Sequence, residues 1–148
     1  MADAVRETIL DALKTCLEGI TTANGYAIQV AEVRRGIHFE DDMLNRPCLG
    51  FANTKIERKE HAFAQSGREL NVLIYGYVDV EPHSASGYDP LDDLMQAVET
   101  RLMTGSAWSY WEFTDIRNFT IYEGGAHDKL GYFDMEVIIE YQYALASP

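Results

Sequence analysis

From Tyr132 to Tyr143 the chain alternates with a period of two. Phe133, Met135, Val137, Ile139, Tyr141 and Tyr143 fall on one side, and Tyr132, Asp134, Glu136, Ile138, Glu140 and Gln142 on the other. Successive side chains of an extended strand point to opposite faces, so this run encodes one apolar and one largely acidic face. A sheet built on it is half buried, and its apolar side must be covered by another layer.

Two helical segments can supply that layer. Over residues 3–19, Val5, Ile9, Leu13, Cys16, Leu17 and Ile20 recur at three- and four-residue spacing, while Arg6, Glu7, Asp11, Lys14 and Glu18 fall elsewhere. Gly19 and the Asn24-Gly25 pair mark the helix end and the following turn. A second helix opens at Asp89-Pro90, with Asp89 expected as N-cap, Pro90 at the first helical position, and Asp92 and Asp93 at the positive end of the dipole. Leu91, Leu94, Met95, Val98 and Leu102 form its apolar stripe, and Gly105 is its expected stop.

Residues 70–80 are apolar on both faces, with Leu70, Val72, Ile74, Val78 and Val80 opposing Leu73, Tyr75 and Tyr77, which predicts a central strand. Residues 27–35, 48–56 and 116–123 supply the others. The expected fold is therefore one α+β domain over residues 1–148. It is a two-layer sandwich in the order α-β-β-β-α-β-β, a mostly antiparallel sheet of about five strands with two helices packed on one face. The length suits a single domain.

Three stretches exceed this plan. Residues 36–47 join two strands with more chain than a hairpin needs, and residues 57–68 read as a charged connector; long loops are often functional. Glu57-Arg58-Lys59-Glu60 within the second suits either a solvated rim or a contact with a neighbouring subunit. Trp108-Ser109-Tyr110-Trp111-Glu112-Phe113 holds both tryptophans of the chain, suited either to an interface or to closing the end of a core.

Charge and chemistry narrow the function classes. With 24 acids against 12 bases, the net charge of −12 argues against general affinity for DNA or anionic membranes. Cys16 and Cys48 form no disulfide framework or zinc ribbon and are expected as small core residues. The opening Met1-Ala2-Asp3 leads into no basic segment followed by an apolar run. No apolar stretch approaches the roughly 18 residues that span a bilayer, so a soluble cytoplasmic chain is expected.

Asp79, Glu81 and His83 leave the central strand at alternate positions, and His127-Asp128 follows Gly124-Gly125 in a turn. Together Asp79, Glu81, His83 and His127 are the residues on which a small metal-dependent or ligand-binding enzyme could be built. His83, however, precedes Ser84-Ala85-Ser86-Gly87, a loop poorly suited to holding ligands, and no activated nucleophile accompanies either histidine. Gly124-Gly125 lacks the lysine and helix start of a phosphate loop. Asn118-Phe119-Thr120 is a sequon without a secretory signal. No catalytic residue, cofactor or metal is expected.

The whole pattern resembles the tail terminator (tail completion, minor tail protein U-like) family of long-tailed bacteriophages. The resemblance is carried by Ile9-Leu10-Asp11-Ala12-Leu13, Val33-Arg34-Arg35, Arg46-Pro47-Cys48-Leu49-Gly50-Phe51, the strand from Leu70 through Val78, and Asp92-Asp93-Leu94-Met95-Gln96-Ala97-Val98-Glu99 with Leu102 at its end. It lies in order and spacing, not in a catalytic motif. It implies a non-enzymatic virion protein, assembled in the host cytoplasm. Such a protein forms a ring, usually of six subunits, on the head-proximal end of the tail tube, stops tube polymerisation and presents a docking surface to the head connector. The implied partners are further copies of the chain, the tail tube protein and the head-tail connector protein, with DNA passing through unbound and no membrane involved.

On that reading the interface candidates are His38, Phe39, Asp41, Asp42, Arg46, Arg58, Lys59, Arg68, Trp108 and Trp111, along with a sheet edge that needs cover. Asp134, Glu136 and Glu140 are candidates to line the channel, where they would repel phosphates. Another phage neck component, a head-closure or head-tail joining protein, is the nearest alternative.

Overall fold

The computed structural model describes residues 2–38, 45–60, 65–81, 87–104, 111–122 and 129–144. The chain runs through α1 (Ala2–Glu18), a 3-10 turn (Thr22–Asn24), β1 (Glu32–Arg35), β2 (Cys48–Glu60), β3 (Gln65–Asp79), α2 (Asp89–Thr104), β4 (Trp111–Tyr122) and β5 (Leu130–Ala144). This is the expected α+β order. The strands form one sheet, β1-β2-β3-β5-β4, with β3 at its centre as two apolar faces require.

Three pairings are antiparallel, and β1 with β2 is parallel. That explains the length of residues 36–47, because parallel neighbours cannot be joined by a hairpin and need a crossover of about a dozen residues.

Both helices pack on one face. Ile9, Leu13 and Leu17 of α1 and Leu91, Leu94 and Val98 of α2 share a core with Val72, Ile74, Phe133, Met135, Val137 and Ile139. Burial of each large side chain there contributes about 1.5–3 kcal/mol. Gly76 permits the close approach of α2, since a β-carbon at that position would lie 2.5 Å from the Phe133 ring and 3.1 Å from Leu94.

The helices also tie to each other. α1 has no basic residue in its last turn, and Arg101 of α2 takes that role, its Nε donating to the Cys16 carbonyl at 2.8 Å. A cation there complements the negative end of the α1 dipole. The buried Cys16 thiol donates in return to the Arg101 carbonyl at 3.7 Å.

Several expected boundaries move. Residues 27–31 are not strand, and Val30 and the Gln29 side chain bond back to the exit from α1. Gly25 turns with φ +90°, Val30 N–H donates to the Ile20 carbonyl at 3.0 Å, and Thr22 Oγ1 meets Gln29 at 3.0 Å. The charged connector is shorter than expected, since residues 57–60 and 65–68 continue β2 and β3 with Arg58 opposite Arg68. β4 begins at Trp111, which opens an edge strand opposite Tyr141 and does not precede one. The cap of α2 is Tyr88, one residue earlier than expected, whose carbonyl accepts from Leu91 and Asp92. Gly105 lies outside the described residues.

Length separates the two layers. A 15-residue strand such as β3 or β5 spans about 50 Å. Helices of 17 and 16 residues span about 25 Å. The helices cannot cover the sheet from end to end. Nor is the face opposite them simply acidic: Cys48, Tyr75, Tyr77 and Leu130 form a second buried cluster there, with Leu73 and Tyr132 against it.

Candidate functional site

The second cluster is built on a glycine. Gly50 of β2 lies opposite Tyr75 of β3, and any β-carbon at Gly50 would overlap the Tyr75 ring. The phenol therefore lies across β2 and reaches the crossover, where its hydroxyl donates to the Gly36 carbonyl at 2.6 Å and accepts from His38 N–H at 2.7 Å. Tyr77 donates to the His38 carbonyl at 3.2 Å. Its ring stands edge-on to Tyr75 at 5.9 Å and 5.2 Å from Tyr132. Two tyrosines thus strap the start of the crossover to the sheet face away from the helices.

The end of the crossover is fastened too. Arg46 Nη1 lies 3.2 Å from the Asp79 carboxylate. Asn45 donates to Glu32 at 2.9 Å, and Arg34 pairs with the same carboxylate. The Asn45 amide, opposed by partial burial and aided by Arg34, holds Glu32 below the usual carboxylate range. Deeper in the cluster, burial pushes the Cys48 thiol up to about 11. Burial and the Asp134 carboxylate, to which Tyr132 donates at 2.7 Å, push the Tyr132 hydroxyl well up.

His38 and Arg46, proposed from the sequence as interface residues, therefore hold the chain's own crossover. Phe39, Asp41, Asp42 and Trp108 lie outside the described residues. Arg58, Lys59 and Arg68 sit in the long β2–β3 hairpin, where Lys59 faces Gly67 in register, and Trp111 opens β4. Asp134 and Glu136 share the face of Tyr132, and Glu140 follows at the same two-residue spacing.

Register reveals what the sequence order hides. Glu57 pairs with Glu69, Glu69 with Glu140 and Glu140 with Glu112, so four glutamates occupy one row across four adjacent strands. Directly opposed like charges destabilise a sheet by up to about 1 kcal/mol per pair. Glu140 was a channel candidate from sequence, and Glu57 and Glu112 lay in stretches considered for contacts, but their alignment with Glu69 is set by pairing.

Of the four residues of the alternative enzyme reading, two lie among the described residues. The Asp79 carboxylate is engaged by Arg46, Glu81 is exposed, and His83 and His127 lie outside the described residues. Among the described residues no group of three or more His, Cys, Asp or Glu is arranged to hold a metal. An open cleft of about 420 Å³ between the 3-10 turn and α2 is lined by Asn24, Tyr26, Asp93, Gln96 and Thr100 among others, with Asp93 the one charged residue among the described ones. No described helix is long and apolar enough to cross a membrane. Neither the comparison with protein-family models nor that with curated proteins gives a match. The functional reading therefore rests on the chain itself.

Proposed function

We propose that this chain is a structural subunit of a long-tailed phage virion, which closes into a ring on the head-proximal end of the tail tube, ends its polymerisation and offers the head connector a docking surface. The observation that carries the subunit reading is the mismatch between the layers: strands of about 50 Å under helices of about 25 Å. A sheet that outruns its own cover is suited to be completed by other chains. The glutamate row and the Arg58–Arg68 pair add to this, since both oppose like charges in a part of the sheet that gains little from them in isolation.

The resemblance described above supplies the setting. A tube of identical subunits ends in an exposed surface, and a ring that satisfies it without offering the same surface onwards stops growth. Asp134, Glu136 and Glu140 facing such a channel would keep DNA from adhering.

Two measurements test the reading. Light scattering over rising protein concentration should show a closed oligomer of several subunits, whereas a monomer at every concentration overturns it. Deleting the gene from the phage should yield tails of abnormal length. Normal tails left unattached beside unfilled heads would instead favour a head-side connector.

A further inference from the structure

We infer that copies of this chain join edge to edge, the outer edge of β2 in one copy pairing with the outer edge of β4 in the next, so that one sheet continues into another. The inference rests on the ring reading above and specifies its contact. β1 pairs only with residues 48–51 of β2. Among the described residues no strand pairs with the outer edge of β2 over residues 52–60, or with the outer edge of β4. Both open stretches lack proline, which is a common guard of strand edges.

The two open edges match in height. Following register through β3 and β5, Arg58 is level with Trp111 and Ala52 with Arg117. Residues 111–117 of β4, which take one register shift between Phe113 and Asp115, thus stand at the height of the uncovered part of β2, which takes one between Asn53 and Lys55. The register of β4 shifts a second time after Arg117, at the level of Phe51, where β1 begins to cover β2.

Direction and charge agree. β2, β3, β5 and β4 alternate in direction, so β4 runs opposite to β2. A copy related by rotation about an axis near the strand direction would therefore bring its β2 antiparallel to β4. Residues 52–60 carry Lys55, Arg58 and Lys59 against Glu57 and Glu60, a balance of 3 − 2 = +1. Residues 111–117 carry Glu112 and Asp115 against Arg117, or 1 − 2 = −1. Lys55 is level with Asp115 through Asn71 and Ile138. Pairing β2 with β2 or β4 with β4 would set like balances together, so the head-to-tail contact, the kind that closes rings, is favoured.

Cysteine pairs test the contact in the full chain. Within one copy positions 55 and 115 are three strand spacings apart, about 14 Å. A disulfide bridges Cα atoms no more than about 7 Å apart, so any disulfide between cysteines introduced at these two positions is intermolecular. Under mild oxidation the double variant Lys55→Cys/Asp115→Cys should give a ladder of linked oligomers. An equimolar mixture of the two single variants should give dimers only, and each single variant alone, like the unchanged chain with its buried thiols, should give none.

Self-linked dimers from either single variant overturn head-to-tail pairing. No ladder from a preparation that light scattering shows to be oligomeric overturns the edge contact but leaves the ring reading standing, and a chain that stays monomeric overturns both. Circular dichroism checks folding. Ala52→Cys/Arg117→Cys repeats the test at a second level of the same edges and must give the same ladder.

Discussion

Gly50 is where a single hydrogen in place of a side chain lets Tyr75 cross β2 and hold the backbone of Gly36 and His38. Gly50→Ala should push Tyr75 off β2, release the Gly36 and His38 hydrogen bonds and cost about 1–3 kcal/mol, the usual range for overpacking. Tyr75→Phe should cost about 1–2 kcal/mol through the lost hydrogen bonds. The two changes act on one contact, so the double variant should lose less than their sum in urea denaturation. Full additivity would mean that the strap and the glycine are unrelated. Cys48 gives a pH signature. Its folded value of about 11 lies above the ordinary 9.0, so the folded chain keeps a proton that the unfolded chain releases. The contribution is complete below about pH 9 and falls away as pH rises towards about 11, by up to about 2–3 kcal/mol. The urea midpoint should therefore drop over that window, and drop less in Cys48→Ala; an equal slope would remove Cys48 as its source. The burial of both cysteines was legible from composition. The role of Gly50 was not, because it depends on which tyrosine lies across from it.

Elements were legible where burial imposes a period. The alternation of β5 and the stripes of both helices recur in the structure because one side of each meets the core. The ends of the hairpin were misread as a loop for the converse reason: residues 57–68 carry no apolar alternation, and strand pairing alone leaves no period in the sequence. β1 was placed too early because four residues paired in parallel leave little pattern. Helix contacts across the fold were equally hidden, and Arg101 is the clearest case. Arg101→Gln should lower stability by about 1–2 kcal/mol, measured by chemical denaturation, through loss of a charge at the end of α1. An unchanged midpoint would show that the α1 terminus is served by solvent. Replacing residues 58–68 with an Asn-Gly turn should preserve cooperative unfolding, since the shared core lies elsewhere, while abolishing oligomer formation. A truncated chain that still assembles would count against the hairpin as a contact.

At the scale of the whole molecule, a net charge of −12 works against any gathering of identical copies. Raising the salt from about 0.01 to about 0.15 M shortens the screening length from about 30 to about 8 Å. Light scattering should then show stronger association at the higher salt, and the reverse trend would point to contacts dominated by opposite charges. The two layers, with both helices on one face, follow from the order and periodicity of the elements alone, whereas the acidic row does not, being a property of four strands at once. β1 ends at Arg35, and Gly36, with φ +100°, makes one last hydrogen bond to Phe51 before the chain turns over Tyr75. Had the strand run on, it would have sealed the neighbouring backbone inside its own molecule. By leaving the sheet after four residues, the chain keeps a length of β2 unspent, and under the pairing inferred above a subunit with a longer β1 would enter a growing ring and leave it unable to close.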